Sequence, residues 1–321
     1  MKYIAFNGDA DGLCALQQLH LCEELDDAIL VTGVKRDIDL VKRVEACPGD
    51  EATILDVSLD VNRAALLRLL ALGVHVRYFD HHHAGDIPRH ARLQAVVDAS
   101  PQVCTSVLVD RHLRGLQRPW AVVGAFGDNL DEVACSLGRK FSAEEQILLK
   151  ELGILLNYNA YGESMEDLHF PPAELHARLR AYTDPLAFIR TDEAMRELRK
   201  GYRKDMAYAG EVMPHVETEH ATVYLLPDTS WARRVSGTLA SRLARKNPAR
   251  ATAVVLPIEN GFQVSVRAPL QNPRGASALC RQFPTGGGRE GAAGINQLAA
   301  EDLERFTARF LNHFDPAAAV S

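Results

Sequence analysis

The sequence has no long apolar run, no paired cysteines and no surplus of basic residues. The longest leucine-rich stretch is interrupted by Arg68, so no segment has the roughly 20 apolar residues that cross a bilayer. The six cysteines form no Cys-x-x-Cys pair, a pattern typical of reduced thiols and not of a disulfide or zinc framework. The net charge of −6 argues against a protein that coats long nucleic acid, because such proteins carry a basic surface. The first apolar residues are too few for a signal peptide, so we expect a cytoplasmic protein with no membrane segment.

The first half of the chain alternates short apolar runs with helical patterns. Five runs have the length and the β-branched content of strands, namely Lys2–Phe6, Ala28–Val34, Ala52–Val57, Val74–Phe79 and Leu93–Val97. Helical patterns lie between them, including Leu13–Leu25 and Asn62–Leu72, and Asp60 is the expected N-cap of the second. This alternation predicts an α/β fold with a mainly parallel sheet flanked by helices. In such sheets ligands bind beyond the carboxyl ends of the strands.

The second half predicts a helical connection and a smaller α/β domain. The pattern is largely helical from Phe141, and the stretch Thr191–Gly210 is predicted to be a connecting helix. After His215 we expect three strands, namely Ala221–Leu226, Ala251–Pro257 and Phe262–Ala268. A helix, Trp231–Arg245, is expected between the first two strands, and a glycine-rich loop, Gly286–Gly294, and a final helix, Glu301–Phe314, are expected after the third. The predicted boundaries are a first domain over 1–190, a helical linker over 191–214 and a second domain over 215–316.

Acidic motifs follow the predicted strands. Asp9 and Asp11 lie in a glycine-bounded turn directly after the first strand. The others are Asp56 at the end of the third strand, Asp80 with His81 and His82 at the end of the fourth, and Asp128 after the apolar segment Ala121–Phe126. Carboxylates that converge on one edge of a sheet repel each other unless cations lie among them. Imidazole with carboxylate oxygens suits a divalent ion such as manganese, and two such ions can activate a water for displacement at phosphorus.

The ordered set of motifs resembles the DHH phosphoesterase family, which includes RecJ exonucleases, nanoRNases, cyclic-dinucleotide phosphodiesterases and type II inorganic pyrophosphatases. The matching motifs are Asp9-Ala-Asp11-Gly12, Asp56, Asp80-His81-His82, Asp128 and, in the second domain, Gly286-Gly287-Gly288 with Ala292-Ala293-Gly294. The resemblance covers nearly the whole chain. It implies a catalytic domain with two divalent ions, manganese or magnesium, followed by the family's substrate-binding domain.

The resemblance also implies a role for each motif residue. The metal ligands would be Asp9, Asp11, Asp56, His81 and Asp128, with Asp56 bridging both ions. In the catalytic pair Asp80 and His82, the histidine would contact the scissile phosphate and the aspartate would orient a neighbouring histidine. The substrate contacts would come from Arg267, Gly287, Gly288 and Arg289, where glycine lets backbone N–H groups approach an anion closely.

Two residues depart from the family pattern. Asn7 stands where the family often has histidine. An amide oxygen is a weaker ligand than imidazole, so Asn7 either binds the first ion loosely or acts through a water. Arg289 stands where the glycine motif usually continues with histidine, and its guanidinium offers a fixed charge and a fork for phosphate or for the edge of guanine. With Arg267 it would form an anion pocket.

These residues predict hydrolysis of short 5′-phosphorylated oligoribonucleotides, such as dinucleotides including pGpG, to mononucleotides by a metal-activated water. Within the family this resembles the nanoRNase and diribonucleotidase branch. The alternatives are hydrolysis of a cyclic dinucleotide, of 3′-phosphoadenosine 5′-phosphate or of polyphosphate, and a non-catalytic nucleotide sensor that Asn7 keeps open. The sequence leaves the oligomeric state undecided, with a homodimer among the options.

Overall fold

The computed structural model describes residues 1–315, and the chain divides into two compact units. The first is Met1–Gly201 and the second begins at Tyr202. The division falls inside a helix, Glu193–Gly210, which lies within the linker predicted over 191–214. Among the described residues no helix combines the length and the apolar character needed to cross a membrane.

The first unit contains a five-stranded parallel sheet. Its strands are β1 (Lys2–Phe6), β2 (Ile29–Val31), β3 (Glu51–Leu55), β4 (His75–Asp80) and β5 (Leu93–Val97). Their order is β2-β1-β3-β4-β5, and every neighbouring pair is parallel. The predicted parallel sheet is therefore confirmed. The chain passes from β1 outward to β2 and then returns to the other side of β1, so the strand order reverses beside β1 and β3.

Helices cover this sheet. Those of the first unit, including the helix at the division, are α1 (Ala10–His20), α2 (Leu59–Ala71), α3 (Thr105–His112), α4 (Arg118–Gly127), α5 (Asp131–Leu137), α6 (Ala143–Ala160), α7 (Pro172–Leu179), α8 (Pro185–Thr191) and α9 (Glu193–Gly210). Every residue of α1 from Ala10 to Leu19 is buried. A helix that is apolar on most of its surface is stable only inside a core, so α1 lies within the first unit and fixes the loop before it.

Two local predictions about helix starts were wrong. The helix α1 begins at Ala10, three residues before the predicted start, because the Asp9 side chain accepts hydrogen bonds from the backbone N–H groups of Asp11 and Gly12. The helix α2 begins at Leu59 with Ser58 as its N-cap, and the Ser58 side chain accepts from the Val61 N–H. Asp60, the expected cap, lies in the first turn instead.

The second unit contains a mixed six-stranded sheet. Its strands are β6 (Val216–Glu217), β7 (Ala221–Leu225), β8 (Ala251–Ile258), β9 (Gly261–Arg267), β10 (Gly286–Gly288) and β11 (Ala292–Leu298), in the order β10-β11-β9-β8-β7-β6. Its helices are α10 (Ser230–Lys246), α11 (Ala276–Cys280) and α12 (Leu303–Phe314). The apolar core includes Phe283, Phe306 and Phe310. The smaller α/β domain is therefore confirmed as a fold class.

The glycine-rich segment Gly286–Gly294 is not a loop, as the sequence predicts, but a hairpin of β10 and β11. Its glycines allow the strands to approach closely. Gly288 has a φ of +135°, and a Cβ there would lie 2.5 Å from Ala293 Cα. A Cβ on Gly294 would lie 2.8 Å from the carbonyl oxygen of Val264 on β9. Glycine runs are typical of loops, but here they serve close packing of strands.

Candidate metal centre

The acidic motifs of the first unit meet at the carboxyl edge of its sheet. Asp9 follows β1, Asp56 follows β3 and Asp80 ends β4. These three strands are neighbours, with Phe6 paired to Leu55 and Leu55 paired to Phe79, one residue before Asp80. The edge beside β1 and β3 is also where the strand order reverses, which is the usual ligand position in open parallel sheets.

Asp56 has the most unusual backbone of the site. Its φ is +58°, in the left-handed region that residues with a side chain rarely occupy. Its N–H donates to the Phe79 carbonyl at 3.0 Å, and its carboxylate accepts from the Thr105 hydroxyl at 3.1 Å. The residue is 2% exposed. Backbone strain of this kind persists only where surrounding contacts hold it, and it is common at functional sites.

His81 faces this carboxylate. Its Nδ1 lies 3.1 Å from the Val103 carbonyl oxygen, an acceptor that requires the proton on Nδ1 and leaves the lone pair on Nε2. Nε2 lies 3.4 Å from Asp56 Oδ1 and 4.0 Å from Asp11 Oδ2. Donor atoms of Asp56, His81 and His82 all lie within 4.8 Å of one another. An imidazole oriented by a backbone carbonyl is the usual arrangement of a metal ligand.

Asp128 reaches the same centre from a helix end. The apolar segment before it is the helix α4, and Asp128 follows its last residue, Gly127. The Asp128 carboxylate lies 3.9 Å from the His81 ring. Asp9 contacts the Asp56 carboxylate, so the structure brings together the five residues that the resemblance implies as ligands, Asp9, Asp11, Asp56, His81 and Asp128.

The electrostatics of this group fit a divalent cation. Burial, followed by the charges of Asp9, Asp11 and Asp128, holds the pKa of Asp56 well above its ordinary value. Burial and the charge of Asp11 raise the pKa of Asp128 to about 7, although His81 opposes the shift. Buried carboxylates that repel one another are stabilised in their charged form by a cation among them.

Affinity for Mn²⁺ is therefore expected to rise with pH through about pH 7, the value to which the pKa of Asp128 is raised. Below that pH the folded protein holds a proton that the ion must displace. For each proton displaced, the association constant for Mn²⁺ rises about tenfold per pH unit. Calorimetric titration with Mn²⁺ from about pH 6 to about pH 8 checks this. Asp128→Asn should bind more weakly with a shallower pH dependence, and an affinity independent of pH would contradict the expectation.

Asp11 is held at the start of α3. Its two carboxylate oxygens accept the backbone N–H groups of Thr105 at 2.6 Å and Ser106 at 2.8 Å. Asp11 is 1% exposed. Anions are stabilised at helix N-termini, where N–H groups have no partner within the helix. Asp11 therefore anchors α3 to α1 besides facing His81.

Asp9 makes a contact that the sequence analysis missed. Its Oδ1 accepts from the N–H groups of Asp11 and Gly12, and its Oδ2 lies 2.5 Å from Lys35 Nζ. Although burial raises it, the pKa of Asp9 is lowered overall by the Lys35 ammonium. The Asn7 amide oxygen accepts from the Asp9 N–H at 3.2 Å, so both residues are already engaged within the first motif.

Four further residues complete the site without having been foreseen. They are Lys35, Thr105, Ser106 and Asn157, whose amide oxygen accepts from the Ala10 N–H. Lys35 follows β2, the strand beside β1. The sequence signal that could have identified it is a basic residue shortly after a strand that neighbours β1. The other three come from α3 and α6, and no spacing in the sequence connects them with the acidic motifs.

Asp80 and His82 are in direct contact. Asp80 is fully buried, and its Oδ1 accepts from the His82 backbone N–H at 3.1 Å and from His82 Nδ1 at 2.7 Å. Its Oδ2 accepts from the Leu59 N–H at the start of α2. The His82 side chain is 44% exposed. With the Nδ1 proton donated to Asp80, the other ring nitrogen of His82, Nε2, is available to a ligand.

The predicted substrate residues lie in the second unit. Arg267 ends β9 and pairs in register with Ala292, and Arg289 begins the turn between β10 and β11 with its N–H donating to the Ala292 carbonyl. Both arginines therefore lie at the same end of the second sheet. The Arg267 guanidinium also contacts the Ser241 hydroxyl at 3.4 Å, and Arg289 is exposed.

No protein-family model matches the sequence, and no curated protein matches it. This chain is an α/β protein with an acidic sheet edge, and several solved structures share its fold. They include RecJ from Thermus thermophilus in complex with Mn²⁺, at 19% identity and a TM-score of 0.61 over 100% of this chain and 52% of that chain. An exonuclease RecJ bound to manganese has 20% identity and a TM-score of 0.56 over 96% of this chain and 88% of that one. The fold implied by the resemblance to DHH phosphoesterases is therefore confirmed.

A third solved structure is similar over nearly its whole length. It is the pGpG-specific phosphodiesterase PggH from Vibrio cholerae, at 15% identity and a TM-score of 0.55, with 96% of this chain and 98% of that chain covered. Identities this low show a common fold, and the chemistry of this chain is argued from its own residues.

Proposed function

We propose that this chain is a metal-dependent phosphoric diester hydrolase. The observation that carries the proposal is the buried cluster of Asp11, Asp56 and Asp128 around His81 at the reversal edge of the first sheet. A divalent cation bound there would act as a Lewis acid that makes water nucleophilic and neutralises phosphate charge. Carboxylate ligands suit both Mn²⁺ and Mg²⁺.

His82 is the group of the chain that would meet the phosphate. It is the exposed member of the Asp80–His82 pair, and Asp80 fixes its ring through two hydrogen bonds to one carboxylate oxygen. A histidine held in this way can donate a hydrogen bond to a phosphate oxygen or transfer a proton to the departing oxygen. The buried carboxylate holds the imidazole in the orientation that this step requires.

Replacement of Asp80 by asparagine should lower kcat by at least about 10-fold, because the carboxylate partner of a functional histidine contributes that much or more. The amide keeps the shape of the side chain but removes the negative charge beside His82. The exposed Asp86 offers a matched control, and Asp86→Asn should leave kcat unchanged. Steady-state kinetics with Mn²⁺ present decide the matter, and equal rates in both variants would contradict the role of Asp80.

The substrate we propose is a short 5′-phosphorylated oligoribonucleotide, such as a dinucleotide. The net charge of −6 disfavours long nucleic acid, whereas two arginines at one end of the second sheet can bind a single terminal phosphate. The fold shared with a pGpG-specific phosphodiesterase adds support for a guanine dinucleotide. Arg289 would contribute through its fork of N–H donors, which matches phosphate and the edge of guanine.

The test is a substrate panel with Mn²⁺: pGpG, pApA, a longer RNA, cyclic di-GMP, 3′-phosphoadenosine 5′-phosphate, polyphosphate and pyrophosphate. We expect the linear dinucleotides to be hydrolysed fastest and a chelator to stop the reaction. Equal rates on the longer RNA would remove the preference for short substrates. Faster hydrolysis of another member would replace the dinucleotide as substrate, and no turnover of any member would overturn the hydrolase proposal.

Arg289→Ala should raise KM for pGpG about 10- to 100-fold with little change in kcat, because it removes a charged hydrogen-bond donor that binds substrate away from the reacting phosphorus. Arg309→Ala is the matched control, since Arg309 is also exposed in the second unit and contacts Gln282. Loss of kcat at unchanged KM in the Arg289 variant would contradict its assignment to substrate binding.

A nucleotide sensor without catalysis is the second candidate. The observation in its favour is that Asp9 of the first motif and the preceding Asn7 are engaged with the backbone and with Lys35. Such a sensor would bind a member of the substrate panel without hydrolysing it. Measuring equilibrium binding and turnover for the same compound distinguishes the sensor from the enzyme.

A further inference from the structure

We propose that the Lys35 ammonium takes the place of one of the two cations that the sequence predicts, so that the centre binds a single divalent ion. This inference rests on the proposed metal centre and not on catalysis. The remaining ion would be held by Asp56, His81 and Asp128, with Asp11 beside them, and Lys35 would be the resident cation at Asp9.

The contacts of Asp9 carry the first step. Its Oδ2 is paired with Lys35 Nζ at 2.5 Å, and its Oδ1 accepts two backbone N–H groups at the start of α1, at 3.0 and 3.1 Å. The carboxylate is 5% exposed. Both oxygens of this predicted ligand thus have partners, and a divalent ion at Oδ2 would have to displace the ammonium or lie against it.

Lys35 is held in this position from several directions. Its backbone N–H donates to the Ala160 carbonyl at 2.9 Å, and its carbonyl oxygen lies 3.5 Å from the Asn7 amide nitrogen. Its Nζ lies 5.4 Å from the centre of the Tyr161 ring, within range of a cation–π interaction. Backbone and side chain are both anchored, which is unlike a surface lysine that meets a carboxylate by chance.

Asn7 is part of the same arrangement. Its oxygen accepts from the Asp9 N–H, and its nitrogen is directed at the Lys35 carbonyl. Asn7 is 7% exposed. An imidazole would offer a metal-binding nitrogen at this position, whereas the amide here joins the Asp9 loop to the Lys35 segment. The Asn7 amide and the Lys35 ammonium therefore lie at one place beside Asp9, and both disfavour a metal ion there.

The charges of the cluster agree with one ion. Asp9 is neutralised by Lys35, and the carboxylates that remain near His81 are Asp11, Asp56 and Asp128. One divalent ion would offset two of these three negative charges, without a second ion at Asp9. A second divalent ion at Asp9 would lie next to the half-buried Lys35 ammonium and a carboxylate that is 5% exposed, where like charges repel more strongly than in water.

The test is the number of Mn²⁺ ions bound per chain, measured by equilibrium dialysis with elemental analysis and by electron paramagnetic resonance. We expect one ion and the spectrum of an isolated Mn²⁺ in the unmodified protein. The double variant N7H/K35M should bind two ions with a spin-coupled spectrum, because methionine keeps the length of lysine without its charge. The control Lys140→Met, at an exposed lysine, should leave one ion.

Two spin-coupled ions in the unmodified protein would overturn the inference. Because this measurement uses the unmodified protein, it remains a test even if a variant fails to fold. Binding of no ion at all would instead overturn the metal centre on which the proposed function depends. One ion in a correctly folded N7H/K35M variant would show that Lys35 does not exclude the second. Lys35→Arg, which keeps the charge, should still bind one ion, and two ions there would also count against the inference.

Discussion

Asp56→Asn is expected to weaken Mn²⁺ binding by more than about 100-fold, since loss of a direct ligand exceeds the loss of an outer partner, while it stabilises the metal-free protein. The first effect follows from the position of Asp56 against His81 Nε2. The second follows from its pKa, which burial and three neighbouring carboxylates hold well above 3.8. Between those two values the unfolded chain releases a proton that the folded chain retains, so stability falls as pH rises. Asparagine has no such proton.

Asparagine is the sharper replacement here because the backbone of Asp56 is left-handed, with φ +58°. Asparagine tolerates that conformation as aspartate does, whereas alanine would add strain. Its amide oxygen can also keep the hydrogen bond from Thr105. The variant should therefore fold, which separates loss of the ion from loss of the structure.

Urea unfolding in chelator and calorimetric titration with Mn²⁺ measure the two effects of Asp56→Asn. The gain in free energy of unfolding should be present at neutral pH and should shrink as pH falls towards 3.8, the ordinary pKa, where both states are protonated. Asp86→Asn, at an exposed site, should change neither quantity. A destabilised variant, or one that binds Mn²⁺ normally, would contradict the place of Asp56 in the centre.

Asp11→Ala should destabilise the protein by about 3 kcal/mol even without metal, because two hydrogen bonds to a buried carboxylate are lost and two backbone N–H groups stay unsatisfied. Those groups belong to Thr105 and Ser106 at the start of α3. Asp11 is therefore expected to be structural as well as a ligand. Loss of activity in this variant would not by itself prove a catalytic role.

The measurement is urea unfolding of Asp11→Ala in the presence of chelator. Asp11→Asn should fall between the variant and the unmodified protein, since its single amide oxygen can accept from only one of the two N–H groups well. Asp60→Ala is a suitable control, because Asp60 is exposed and lies in the first turn of α2, and it should change stability by less than about 0.5 kcal/mol. A value as small for Asp11→Ala would contradict the anchoring role.

Much of the fold could be predicted because its signals are local. The strands Lys2–Phe6 and Leu93–Val97 were predicted to the residue, since runs of apolar and β-branched residues between turns have few alternatives. Helix starts were less certain, as at Ala10 and Leu59, because a capping side chain decides them. The hairpin over Gly286–Gly294 was missed because glycine is typical of turns, and only the facing strand shows why it is needed here.

The acidic motifs are the part of the site that the sequence by itself determined. The places of Asp9, Asp56 and Asp80 follow from strand ends, because the carboxyl ends of parallel strands share one edge. Asp128 was predicted from its motif, although it comes from the end of a helix. Residue type and order along the chain were enough to predict an acidic centre with an imidazole.

Only the tertiary structure decided how these groups are occupied. It places Lys35 on Asp9, the start of α3 on Asp11, and the left-handed Asp56 against His81. Each of these contacts joins segments far apart in the chain, and the energies that select among partners depend on burial and distance, which a linear pattern does not contain. For that reason the sequence predicts two cations, and the structure leads us to propose one cation and one lysine.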